Sequence, residues 1–207
     1  MFSKRTIVLG VLICLLLTGC SVVSKVFPDK AAMNVLSGRE GSDGPVLVVK
    51  IDDTTQAHPQ IGLEDADIVY IEQVEGGLTR LAAVYSSVIP QRIGPVRSAR
   101  ISDIEIMSQF GRVAFAYSGA QSKLLPVIAA ANLQDLGAQR QSPTIFTTDP
   151  NRVQPYAMVL RADLLMQKIR DDNYQIDSAK SIGFKVGPLQ EGGANTSKAV
   201  MLWPAAT

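Results

Sequence analysis

The chain has 207 residues, 46% hydrophobic and 19% charged, which allows one full domain or one and a half and argues against a disordered, collagen-like or polytopic membrane chain. The 20 Lys+Arg against 19 Asp+Glu leave no basic surplus to neutralise a phosphate backbone, so no nucleic-acid partner is expected. A single histidine, His58, and two cysteines cannot build a His/Cys zinc cage, and any imidazole-based triad would have to use His58.

Lys4 and Arg5 precede an apolar or glycine run over residues 7–17, and Leu17-Thr18-Gly19-Cys20 follows at once. This is the pattern of a secretory signal peptide, expected over residues 1–19. The run is about 11 residues, near 17 Å as a helix, too short for a hydrocarbon core of about 30 Å. Leu17-Thr18-Gly19-Cys20 resembles the bacterial lipobox, which implies cleavage before Cys20 and lipidation of its thiol. With about 0.8 kcal/mol per buried methylene, two or three acyl chains anchor a protein durably. The expected location is therefore the extracytoplasmic face of the cell membrane, with the membrane itself as a partner through Cys20. Cleavage also removes Cys14, so no intramolecular disulfide remains possible and the core must carry the fold.

Residues 20–44 mix Ser, Lys, Gly, Asp and short apolar pieces without periodicity and read as a flexible tether. Order is expected from Pro45, where Val46-Leu47-Val48-Val49-Lys50-Ile51 has the apolar content of a central strand that Asp52-Asp53-Thr54-Thr55 ends. Strands over 67–75 and 78–87 meet across Gly76-Gly77, a hairpin signal whose two-residue turn pairs Gln73 with Arg80, Ile71 with Ala82 and Glu72 with Leu81. Ser102-Asp103-Ile104-Glu105 has the form of a capping box opening a helix that Gly111 stops. A strand over 113–117, a helix near 122–132, a short strand over 144–147 and a helix over 163–170 with Leu164, Leu165 and Ile169 inward complete the pattern. Alternating strands and helices predict an α/β fold, a mixed sheet with flanking helices, over residues 45–182. Residues 183–207 read as a Gly-rich linker and the start of a second, β-rich domain that is cut short.

Five segments together resemble the DUF3048, or YerB-type, family of bacterial lipoproteins. They are Val49-Lys50-Ile51-Asp52-Asp53, Pro59-Gln60-Ile61-Gly62-Leu63, Ala66-Asp67-Ile68-Val69-Tyr70, Glu75-Gly76-Gly77-Leu78-Thr79-Arg80 and Gly94-Pro95-Val96-Arg97-Ser98-Ala99-Arg100. The resemblance covers residues 45–170 or so and implies the family's N-terminal domain, a lipidated front end and a following β-rich domain, with no assigned reaction. Two positions depart from the family's pattern: Pro155-Tyr156-Ala157 stands where Pro-His-Asn is expected, and His58 where Arg is expected.

Arg97 and Arg100 stand ahead of the predicted helix start at Ser102, with Arg80 near the polar end of the hairpin, as candidates to bind a phosphate or carboxylate. The competing reading is an internal ion-pair network in which Glu72, Glu75 and Asp103 satisfy them. Asp52 and Asp53 complete a candidate polar cluster with Glu72 and Glu75, either capping the turn at Thr54 and Thr55 or holding a divalent cation. His58 reads as a surface loop residue, and Tyr70, Tyr85 and Tyr117 as core rather than a glycan-stacking platform. No cofactor and no resident metal is expected. The residues favour a noncatalytic envelope module that binds a protein or cell-wall partner. The alternative is an enzyme or binder for a phosphorylated or anionic cell-wall glycan, using Arg80, Arg97 and Arg100.

Overall fold

Six consecutive buried residues, Lys50 and Asp52 among them, form strand β1 (Leu47–Asp52). A strand buried on both faces needs neighbours on both edges and cover on both sides. The computed structural model describes residues 32–187, 192–194 and 196–200 and supplies both. In chain order the further strands are β2 (Ile68–Gln73), β3 (Thr79–Tyr85), β4 (Arg92–Ile93), β5 (Val113–Ala116), β6 (Leu133–Asp135), β7 (Phe146–Thr148) and β8 (Met158–Arg161). The helices are α1 (Ser102–Ser108), α2 (Leu125–Ala130) and α3 (Ala162–Asp171).

A five-stranded sheet runs β2-β3-β1-β5-β6, and a three-stranded sheet runs β4-β8-β7. The large sheet is mixed: β3 is antiparallel to both β1 and β2, whereas β1, β5 and β6 are parallel. One face of it packs Val48, Val84 and Phe115 against Met107, Phe110 and Ile128 from the α1 and α2 side. The other face packs Leu47, Val49, Ile51 and Tyr85 against Leu160 of the small sheet and Leu165, Met166 and Ile169 of α3. Each fully buried aliphatic side chain contributes about 1.5–3 kcal/mol as an upper estimate. The fold is thus the expected α/β arrangement with a mixed sheet and flanking helices.

Several details differ from the sequence-based expectations. Structure begins before Pro45: Asn34 and Leu36 are buried, and the Asn34 side chain donates to Ser42 O at 3.2 Å and to Ser86 Oγ at 3.3 Å. The second half of the supposed tether is therefore stitched to the end of β3. The turn between β2 and β3 holds three residues, Glu75-Gly76-Gly77, closed by Val74 N donating to Leu78 O at 2.8 Å. Both glycines have positive φ, 71° and 73°, which a side chain would strain. The longer turn shifts the register by one residue, so Glu72 lies opposite Arg80 and Ile71 opposite Leu81. Because side chains alternate with period two, that shift places Glu72 on the face of Arg80 and Asp52.

The expected capping box is not formed. Ser102 is the first residue of a seven-residue helix and has no capping bond; its hydroxyl donates to Glu72 Oε2 instead. Pro126 sits at the start of α2, which is shorter than the helix expected over 122–132. Leu164 faces outward at 36% exposure, and Met166 takes the inward position on α3. The signal peptide, Cys20, the first part of the tether and the apolar run after Val200 lie outside the described residues.

Candidate functional site

The parallel strands β1 and β5 part at their carboxyl ends, the place where open α/β sheets put binding groups. Residues 95–99 fill the gap. Val96 bridges Ile51, Asp52 N donates to Pro95 O at 2.9 Å, and Arg97 N donates to Lys50 O at 2.9 Å. On the other side Ser118 N donates to Arg97 O at 2.9 Å and Ala99 N to Gly119 O at 2.8 Å. This wedge brings Arg97 and Arg100 to Asp52 and to the tip of the β2–β3 hairpin.

Beneath the wedge lies a charge group that sequence reasoning passed over. Lys50 is fully buried, and its ammonium bonds Glu72 Oε1 and, at 2.7 Å, Asp103 Oδ1. Burial, aided by the neighbouring Glu72 charge, pushes the Asp103 carboxyl up to about 6 against the pull of Lys50. The Asp103 carboxylate also accepts Arg100 N at 2.6 Å, which fixes the turn ahead of α1. The one available signal was a lone lysine inside an apolar run, since a buried ammonium requires buried partners.

The expected site residues separate into two groups. Arg97 pairs with Asp52, Nε to Oδ2 at 2.5 Å, close enough for a strong ion pair although not aligned as a hydrogen bond. Asp52 Oδ1 accepts Thr54 N at 2.8 Å and Thr54 Oγ1 at 2.7 Å, the turn-capping role anticipated for it. Arg100 grips Glu75 Oε2 through Nη2 at 2.7 Å and Nε at 2.9 Å. The hairpin backbone and Arg100 together hold the Glu75 carboxyl below its ordinary value. Arg80 is half-buried, donates to Ser98 O at 3.0 Å, and has no carboxylate within 4.0 Å among the described residues. Burial and repulsion from Arg100 and Arg97 push its guanidinium down to about 10. Of the anticipated internal network, then, Arg100 does meet Glu75, but Glu72 and Asp103 answer Lys50 rather than an arginine.

Asp53 belongs elsewhere. It accepts Thr79 Oγ1 at 2.6 Å and lies 3.4 Å from His58 Nε2, at the edge of an open groove of about 500 Å³. The groove runs between the turn carrying Gln56 and His58 and a loop carrying Asp149, Asn151, Arg152 and Tyr156. The Arg97 guanidinium lies 5.8 Å from the Tyr156 ring centroid, and Arg152 ties the two walls by donating to Ala57 O at 2.8 Å and Pro59 O at 2.5 Å. His58 and Tyr156, the two positions at which the sequence was expected to depart from the family's pattern, thus line one groove. Tyr85 and Tyr117 are core residues, hydrogen-bonded to Gly62 O and Asp135 Oδ1, and Tyr70 packs edge-on to Phe110 at 6.4 Å. Among the described residues no group of three or more His, Cys, Asp and Glu is placed to hold a metal ion, and no helix is long and apolar enough to cross a membrane.

An α/β domain with a polar wedge at the carboxyl ends of parallel strands defines a class of scaffold rather than a reaction. Comparison with known proteins narrows it. Residues 34–175 match the family described as "Protein of unknown function (DUF3048) N-terminal domain", and the chain belongs to that family. It is 40% identical over 75 residues to "Putative lipoprotein YerB" of Bacillus subtilis (strain 168), a stretch covering 36% of this chain and 22% of the relative. The crystal structure of YerB from Bacillus subtilis superposes with a TM-score of 0.63 at 23% identity, over 72% of this chain and 52% of that one. The chain thus spans about half the length of the solved relative, and the structural likeness speaks to the fold.

Proposed function

We propose that the chain is a noncatalytic binding module of the bacterial cell envelope, held at the extracytoplasmic face of the membrane by lipid on Cys20. In this reading residues 1–19 are a signal peptide and residues from Cys20 to about Met33 a tether. The domain presented by that tether then begins near Asn34. The observation that carries the binding-module part is that the wedge is tied internally: Arg97 is committed to Asp52 and Arg100 to Glu75. An arginine pair bound to carboxylates supports a scaffold more than a reaction centre. The anchoring part is supported by Leu17-Thr18-Gly19-Cys20 and by the relative's name. Cys20→Ser should move the protein from the membrane pellet to the soluble fraction, because the acylated thiol is the strong apolar anchor left after cleavage. Undiminished pelleting of that variant would contradict the anchor.

A second reading, recognition of a phosphorylated or anionic glycan, is favoured by Arg80. This half-buried cation has no carboxylate within 4.0 Å among the described residues, feels Asp52 and Glu75 only at longer range, and stands beside two further arginines. An added anion would relieve that crowding. Phosphate-dependent stability of the wild-type protein is the result that this second reading requires.

A further inference from the structure

We propose that the groove between the Gln56–His58 turn and the loop carrying residues 149–156 binds an uncharged sugar ring of a cell-wall glycan, which rests on reading the chain as an envelope binding module. Its volume of about 500 Å³ suits a small ligand and exceeds the roughly half-sized hollows beside Arg100 and Tyr117, about 210 and 270 Å³. A pyranose presents an apolar C–H face and a rim of hydroxyls, each a donor and an acceptor at once. The groove offers the counterpart of both. Tyr156 supplies an aromatic ring steadied by the Arg97 guanidinium at 5.8 Å, and Val153, 75% exposed, adds an aliphatic surface on the same loop. An aromatic platform fixed before binding loses little freedom on binding. Gln56 and Asn151 line the rim with amides that both donate and accept, and His58 adds an imidazole.

The charges argue against a phosphorylated ligand here. Arg152 is the arginine that lines the groove; each of its Nη atoms donates to a carbonyl, Ala57 O and Pro59 O, while its Nε lies 3.5 Å from Asp149 Oδ2. Arg97 is likewise committed to Asp52. A dianion would enter a groove with Asp149 on its wall and, among the described residues, a lining guanidinium already engaged by two carbonyls and that carboxylate, whereas a neutral sugar meets no such electrostatic penalty.

The test is calorimetric titration of the full chain in detergent with an N-acetylglucosamine tetramer, and separately with inorganic phosphate. The proposal expects saturable binding of the tetramer that phosphate does not displace. Tyr156→Ala and Asn151→Ala should each weaken it about tenfold, a change of about 1.4 kcal/mol, and Tyr156→Phe should retain it. Asn151 is exposed and bonded to Asp149 through its backbone N–H, so its truncation leaves the fold intact even if Tyr156→Ala does not. No saturable heat up to millimolar tetramer, equal affinity in Asn151→Ala, or displacement by phosphate would overturn the proposal. Fractionation of Cys20→Ser reports on the anchor alone, so failure of the groove and failure of the anchor are seen separately.

Discussion

Two adjacent aspartates at the end of β1 live in different surroundings. Asp52 is drawn into the seam under the wedge, where Arg97 and Thr54 engage it close to the buried Lys50 group. Asp53, one residue on, turns to Thr79 and to His58 at the edge of the open groove. Alternation along an extended chain divides neighbouring charges between opposite sides. Both side chains are buried, but Asp52 lies among the buried ion pairs, whereas Asp53 leads through the exposed His58 to the open groove. In the function proposed above, the same sheet end serves as keystone on one side and as recognition surface on the other.

The sharpest way to break this contrast is Lys50→Met. It leaves Glu72 and Asp103 without their shared cation and should cost about 3–5 kcal/mol in urea unfolding. A loss under about 1 kcal/mol would mean that the seam is not the keystone. A smaller effect comes from pH. The folded-state Asp103 carboxyl is raised from 3.8 to about 6, so the folded protein holds this proton more tightly than the unfolded one. Its contribution is full below pH 4 or so and is lost as pH rises through about 6. Asp103→Asn should flatten that part of the stability profile; an unchanged slope would assign it to other groups. The smallest effect is expected at the exposed end of the wedge. Glu75→Gln should leave the urea midpoint unmoved, because the Glu75 end of its pair with Arg100 is open to solvent. A large loss there would erase the distinction between the buried and the open ends.

Much of the fold was legible because its signals are local. The apolar run before Asp52 reads as a buried strand, and the spacing of Leu165 and Ile169 reads as a helix. What escaped depends on long-range geometry. Strands β4, β6 and β8 have two to four residues each, too few to show a period. The register error followed from counting two turn residues instead of three, and with it went the placement of Glu72 beside Lys50. The groove is assembled across a separation of 95 residues, from Ala57 to Arg152, which no spacing in the sequence announces. Arg97 and Arg100 were visible as a pair, but whether carboxylates consume them is decided only by the wedge.

The central claim is that the wedge arginines hold the fold and leave recognition to other surfaces. Urea unfolding of the wild type and of Arg97→Ala with Arg100→Ala, each with and without millimolar phosphate, tests it most directly. The account predicts a wild-type midpoint that ignores phosphate and a double variant destabilised by about 3 kcal/mol or more, because Asp52 is left buried without its cation. A wild-type midpoint raised by phosphate, with a double variant that keeps its stability and loses only that response, would contradict the account and restore the arginines as an anion site.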